Sequence, residues 1–102
     1  MRILVINPVG TSRWDHADKE YLQQVARKNT DVTVVSLSKG PKSIESYRSK
    51  ALVCPEMLEL ADRDARKYDA MFVNCFGDPC LEALREVCKI PVLGAGETSM
   101  IM

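Results

Sequence analysis

The sequence predicts an α/β fold of three layers, in which a four-stranded parallel, flavodoxin-like sheet of order 2-1-3-4 lies between helices. Three observations predict it. Four short apolar runs, Ile3 to Ile6, Val32 to Val35, Ala70 to Val73 and Pro91 to Ala95, are nearly continuous and rich in β-branched residues, the pattern of strands covered on both faces. Segments of helical periodicity separate them. Strict alternation of strand and helix calls for right-handed crossovers between parallel strands, and the simplest arrangement of four such strands is 2-1-3-4.

The elements follow in order. After the first strand, Asp15 to Lys28 reads as a helix because Ala17, Tyr21, Leu22 and Val25 share one face, and Asn29 suits its C-terminal cap. The second crossover is longer, and Pro55 divides it. Ser43 is expected to cap a helix carrying Ile44, Tyr47 and Ala51, and Pro55 to open another carrying Met57, Leu58, Ala61 and Ala65, with a kink or short break near Cys54. Asp78 as cap and Pro79 in the first turn start a third helix with Leu81, Leu84 and Val87 toward the sheet, which Ile90 and Pro91 end. Gly94-Ala95-Gly96 then reads as a tight turn toward another element.

A chain of 102 residues is one domain, spanning 1–102. Fourteen basic residues balance fourteen acidic ones, and no run of five like charges occurs, so nucleic acid and anionic lipid are not expected partners. No apolar stretch approaches the roughly 20 residues of a membrane span. The N-terminus lacks a secretory h-region, and the expectation is a cytoplasmic protein whose cysteines, at 54, 75, 80 and 88, are free thiols. Each thiol otherwise reads as a small buried hydrophobe.

Ligands of open parallel sheets bind beyond the carboxyl ends of the strands, which selects the loops Asn7 to Ser12, Ser36 to Ser43, Asn74 to Asp78 and Gly94 to Thr98. Cys75 stands apart there, between a strand and the start of a helix, where backbone N–H groups and the helix dipole favour a thiolate. The same position also suits a structural turn. Spacing excludes several chemistries. A Cys-x5-Arg loop would need arginine where Leu81 stands, no redox Cys-x-x-Cys occurs, and the single histidine, His16, lies far from the cysteines, so no metal site is expected. Asn7-Pro8 takes the place of the acidic residues of a phosphoacceptor domain. Gly94-Ala95-Gly96 lacks the third glycine of a dinucleotide fingerprint, because Ser99 occupies that position.

Taken together, Asn7-Pro8 with Thr11-Ser12, Gly40-Pro41-Lys42-Ser43-Ile44-Glu45-Ser46, Cys75-Phe76-Gly77-Asp78-Pro79 and Gly94-Ala95-Gly96-Glu97 closely resemble the aspartate/glutamate racemase superfamily, in particular its hydantoin and allantoin racemase branch. Val9-Gly10 departs from the family's Asn-Pro-Asn-Thr-Ser. The resemblance covers the whole chain and implies one lobe, the N-terminal one, of a two-lobed racemase. It implies cofactor-independent inversion at a carbon beside a carbonyl, with one cysteine on each face of the substrate as acid or base. Cys75 matches the first of that pair; the second belongs to the other lobe. By the same resemblance Asn7, Pro41, Ser43, Ile44, Gly77 and Asp78 are the expected substrate contacts. Ser43 and Asp78 also read as helix caps. The implied partner is a small molecule, a hydantoin, allantoin or related amino acid derivative, with no cofactor and no metal. The competing expectation is a non-catalytic binding or structural domain that retains a half-site.

The topology carries one more expectation. The first crossover covers one sheet face, and the second and third both cover the other. Strands three and four are then under-covered, and a homo-oligomer joined through that face is expected, with Thr98 to Met102 crossing to a neighbour.

Overall fold

In the computed structural model, residues 1–101 are described. Strands β1 (Arg2–Asn7), β2 (Asp31–Ser36), β3 (Ala70–Val73) and β4 (Val92–Gly94) alternate with helices α1 (Asp15–Val25), α2 (Tyr47–Asp64), α3 (Leu81–Val87) and α4 (Ala95–Ile101). The sheet is parallel with order β2-β1-β3-β4, as the sequence predicts. Its register pairs Asn7 with Ser36 and Ile6 with Val73, so Asn7 and Asn74 leave the sheet side by side.

The period of two along the strands divides the apolar residues between two faces. Leu4, Ile6, Met71, Val73 and Val92 form the main core with Val53, Met57, Leu60 and Ala61 of α2 and Leu81 and Leu84 of α3. On the opposite face, α1 buries none of its residues completely, and Tyr21 and Val25 are each 64% exposed. Its helix also ends at Val25 rather than Lys28, with Asn29 at φ 78° in the turn that follows. An apolar groove remains under α1, lined by Ile3, Val5, Leu22, Val25, Phe72 and Leu93.

Four local expectations are corrected. The second crossover holds one continuous helix, α2, capped by Ser46, whose hydroxyl accepts from the Ser49 N–H at 3.0 Å; Ser43 lies exposed in the preceding loop. Proline at position 55 removes the donor for the Ala51 carbonyl, but both residues are exposed, so water can take that bond while Val53 and Met57 hold the helix on the core. Helix α3 begins at Leu81, two residues later than Pro79, because Asp78 (φ 46°) and Cys80 (φ 63°) are left-handed, and Val87 is exposed.

The Asp78 carboxylate instead accepts from the N–H groups of Gly96 and Glu97, at 2.9 and 2.7 Å, and so caps α4, in the segment expected to be a loop. The glycines of Gly94-Ala95-Gly96 permit this close approach: a Cβ at 94 would strike the Asp78 carboxylate, and one at 96 the Phe76 carbonyl. Bidentate pairing of Arg85 with Glu97 adds a second tie between α3 and α4. Finally, Cys54 and Cys80 are disulfide-bonded, their Cα atoms brought to 5.2 Å by packing of α2 on the start of α3. The expected free thiols are therefore only Cys75 and Cys88, and cysteine usage no longer argues for a reducing compartment. Among the described residues no helix is long and apolar enough to cross a membrane.

Candidate active site

The loops after β1 and β3 leave their strands in the same way. Val9 N–H donates to the Asn7 carbonyl at 2.8 Å, and Cys75 N–H to the Val73 carbonyl at 3.0 Å, tight turns that expose the next side chain at the sheet end. The loop after β2 is stitched to the first by Leu37 N–H on the Val9 carbonyl and Gly10 N–H on the Pro41 carbonyl. Glycine is required at 10, where a Cβ would meet the Gly40 carbonyl. Three loops thereby converge on one end of the sheet.

Between them lies an open cavity of about 230 Å³, lined by Asn7, Pro8, Val9, Trp14, Asp18, Ile44, Asn74 and Cys75. This is below the roughly 300 Å³ at which small-molecule sites usually begin, so it amounts to one wall of a site. A larger cavity of about 490 Å³ runs along α2 past Ser38, Lys39 and Glu56. Glu56 is already committed there: burial alone would raise its carboxyl, but hydrogen bonds from Ser38 and Lys39 pull it below the usual glutamate value. That carboxylate anchors the loop after β2, and no thiol lines this second cavity.

The expected contacts are distributed unevenly around Cys75. Asn7 and Ile44 line the cavity with it. Gly77 adjoins the thiol, since a Cβ there would sit 3.8 Å from Cys75 Sγ. Pro41 contributes its carbonyl to the loop stitching, Ser43 is exposed, and Asp78 turns away toward α4. Cys88 lies at the C-terminal end of α3, where burial, with Asp62 adding, pushes its thiol up.

Residues missed by motif reading complete the site. Asn7 is 5% exposed and donates from Nδ2 to Asp15 Oδ1 and Asp18 Oδ2, each at 3.0 Å. Asn74 donates to Asn7 Oδ1 at 2.8 Å and lies 3.5 Å from Asp18 Oδ2. Carboxylates only accept, so they fix the orientation of both amides. The signals were present: Asp15 and Asp18 share one helical face in the first turn of α1, and strand register places the asparagines together. Lys50 of α2 is a further neighbour, because a Cβ at Gly77 would meet its Nζ at 3.3 Å.

The description Asp/Glu/hydantoin racemase belongs to the family model that matches residues 3–102. This chain is a member of that family. It is 36% identical over 104 residues to the hydantoin racemase of Paenarthrobacter aurescens, covering all of this chain and 44% of that protein. The hydantoin racemase of Pseudomonas sp. (strain NS671) is 37% identical over 103 residues, covering 100% of this chain and 41% of its own length. Among solved structures, an allantoin racemase from Klebsiella pneumoniae superposes with a TM-score of 0.92 at 31% identity, covering 100% of this chain and 42% of that one. The allantoin racemase of Pseudomonas fluorescens, at 24% identity and TM-score 0.87, shares the fold. The racemase-family chain described here thus spans less than half the length of these relatives. Its Cys75-Phe76-Gly77-Asp78-Pro79 segment does two jobs in space: Cys75 lines the cavity with Gly77 beside its thiol, and Asp78 fastens the loop to α4.

Proposed function

We propose that this chain is the N-terminal lobe of a cofactor-independent racemase acting on a hydantoin, allantoin or related amino acid derivative, with Cys75 as one of its two acid/base groups. The observation that carries the reading is Cys75 on the cavity wall at the carboxyl ends of β1 and β3, inside a family segment. As thiolate, Cys75 removes the proton from the carbon beside the substrate carbonyl; the electron pair moves into the enolate, and a second group delivers a proton to the opposite face. The backbone around Gly77, which adjoins the thiol, and the Lys50 ammonium beside Gly77 offer the donors suited to the enolate oxygen. Neither Cys54 nor Cys80 can be the second acid, because they are bonded to each other, and Cys88 is at the other end of α3.

Polarimetry on one enantiomer of a 5-substituted hydantoin and of allantoin tests this, with the chain alone and with the remaining part of a hydantoin racemase supplied in trans. Racemisation that needs both parts and is lost in Cys75→Ser is expected. No turnover in either arrangement favours the second reading, a binding or structural domain that keeps a half-site, for which the small open cavity speaks.

A further inference from the structure

The hydrogen bonds around Cys75 leave an uneven set of free groups. Both Nδ2 hydrogens of Asn7 are spent on Asp15 and Asp18, and Asn7 Oδ1 is taken by Asn74. The Asn74 amide hydrogens point to Asn7 Oδ1 and Asp18 Oδ2. The neighbouring main-chain donors are spent too: Val9 on Asn7, Gly10 on Pro41, Asn74 on Ile6 and Cys75 on Val73. Among the described residues nothing donates to Asp18 Oδ1 or Asn74 Oδ1. Where Asn7, Asp18 and Asn74 meet, the cavity wall therefore offers acceptors, while the Trp14 indole is the side-chain N–H among the other lining residues. No cationic side chain lines the cavity; Lys50 lies beside Gly77, next to the thiol.

We infer that Asp18, together with Asn74, is a specificity-determining residue that reads N–H donors of the ligand, so the cavity selects a cyclic ureide or amide over an isosteric ring that carries oxygen in place of N–H. An N–H group meeting the free Asp18 oxygen forms a charge-assisted hydrogen bond; a ring oxygen there leaves Asp18 desolvated and faces it with a second acceptor. Sites of this kind discriminate against an analogue that lacks the donor far more strongly than apolar pockets discriminate by size. The ligand's carbonyl is then directed to the opposite side, toward Gly77 and Lys50. This inference rests on the proposed function insofar as it takes the Cys75 cavity as the substrate site.

The test compares 2-imidazolidinone, a cyclic urea with N–H on both sides of its carbonyl, with ethylene carbonate, the same ring with oxygen at both positions. Titration of the 15N-labelled chain by each, followed at the amides of Asn7, Asn74 and Cys75, reads relative affinity. The urea is expected to bind at least tenfold more tightly, and Asp18→Ala to bring the two within about twofold. Equal binding by the wild-type chain, an unchanged ratio in Asp18→Ala, or no perturbation of these amides by the urea at its solubility limit overturns the inference. The wild-type comparison decides even if Asp18→Ala does not fold. Racemisation that depends on Cys75 without N–H discrimination would refute this inference alone; discrimination without such racemisation would refute the proposed function and leave the role of Asp18 standing.

Discussion

Replacing Asp78 tests how the loop that carries Cys75 is held. Its two carboxylate oxygens accept from Gly96 and Glu97 N–H at 2.9 and 2.7 Å, and the residue itself sits at φ 46°. Asp78→Ala removes both acceptors, which for a helix N-terminus costs about 1 to 2 kcal/mol. Alanine in the left-handed region adds about 1 kcal/mol that aspartate partly escapes. The expected loss is about 2 to 3 kcal/mol. Asp78→Asn keeps one acceptor and tolerates the backbone, so its loss should be nearer 1 kcal/mol. Urea unfolding followed by circular dichroism, with a slope of about 1.5 kcal/mol per M, would place the Ala midpoint about 1.3 to 2 M below wild type and the Asn midpoint less than 1 M below. Equal losses in the two variants, or an Ala variant within about 0.5 kcal/mol of wild type, would refute the claim that Asp78 is the cap of α4.

Three further outcomes follow from the same geometry. Cys54→Ser opens a cross-link between residues 26 apart in sequence; chain entropy puts the cost at about 3.5 kcal/mol, and a urea midpoint equal to that of the oxidised wild type would contradict the pairing. Cys75 should be alkylated by iodoacetamide faster than Cys88, whose thiol burial and Asp62 push up, so less thiolate exists at a given pH; peptide mass spectrometry that finds Cys88 modified first would count against an accessible Cys75. The groove under α1, with Leu93 46% exposed at its edge, should hold a second copy of the chain; light scattering is expected to show a dimer or larger species, weakened by Leu93→Lys, and a monomer at tens of micromolar without dye binding would sink that interface.

The parts of the fold that were legible are those dictated by near-neighbour chemistry. Continuous runs such as Ile3 to Ile6 and Ala70 to Val73 read as strands of a parallel sheet, and their alternation with helical segments makes 2-1-3-4 its simplest order. The chain ends of those strands then locate the Cys75 cavity. What escaped depends on residues distant in sequence. Asp78 looks like the cap of the helix after it, and only the packing of β3 beside β4 brings Gly96 and Glu97 to its carboxylate. Proline at 55 reads as a helix start until tertiary packing of Val53 and Met57 overrides it. The Cys54–Cys80 bond needs α2 to lie on α3, which cysteine spacing does not reveal. Within the site, Cys75 and Asn7 announced themselves by position after a strand, whereas Asp18 became visible only once strand register set Asn7 against Asn74.

The role of Cys75 is tested most directly by solvent deuterium exchange at the carbon beside the carbonyl. A thiolate that removes this proton and returns a deuteron to the same face incorporates label without inversion, so the chain alone suffices. Proton NMR of a 5-substituted hydantoin in D2O should show loss of the C5–H signal faster than in buffer, with Cys75→Ser falling to the buffer rate and Cys88→Ser unchanged. An exchange rate in Cys75→Ser equal to that of the wild-type chain would contradict the assignment of Cys75 as the acid/base group.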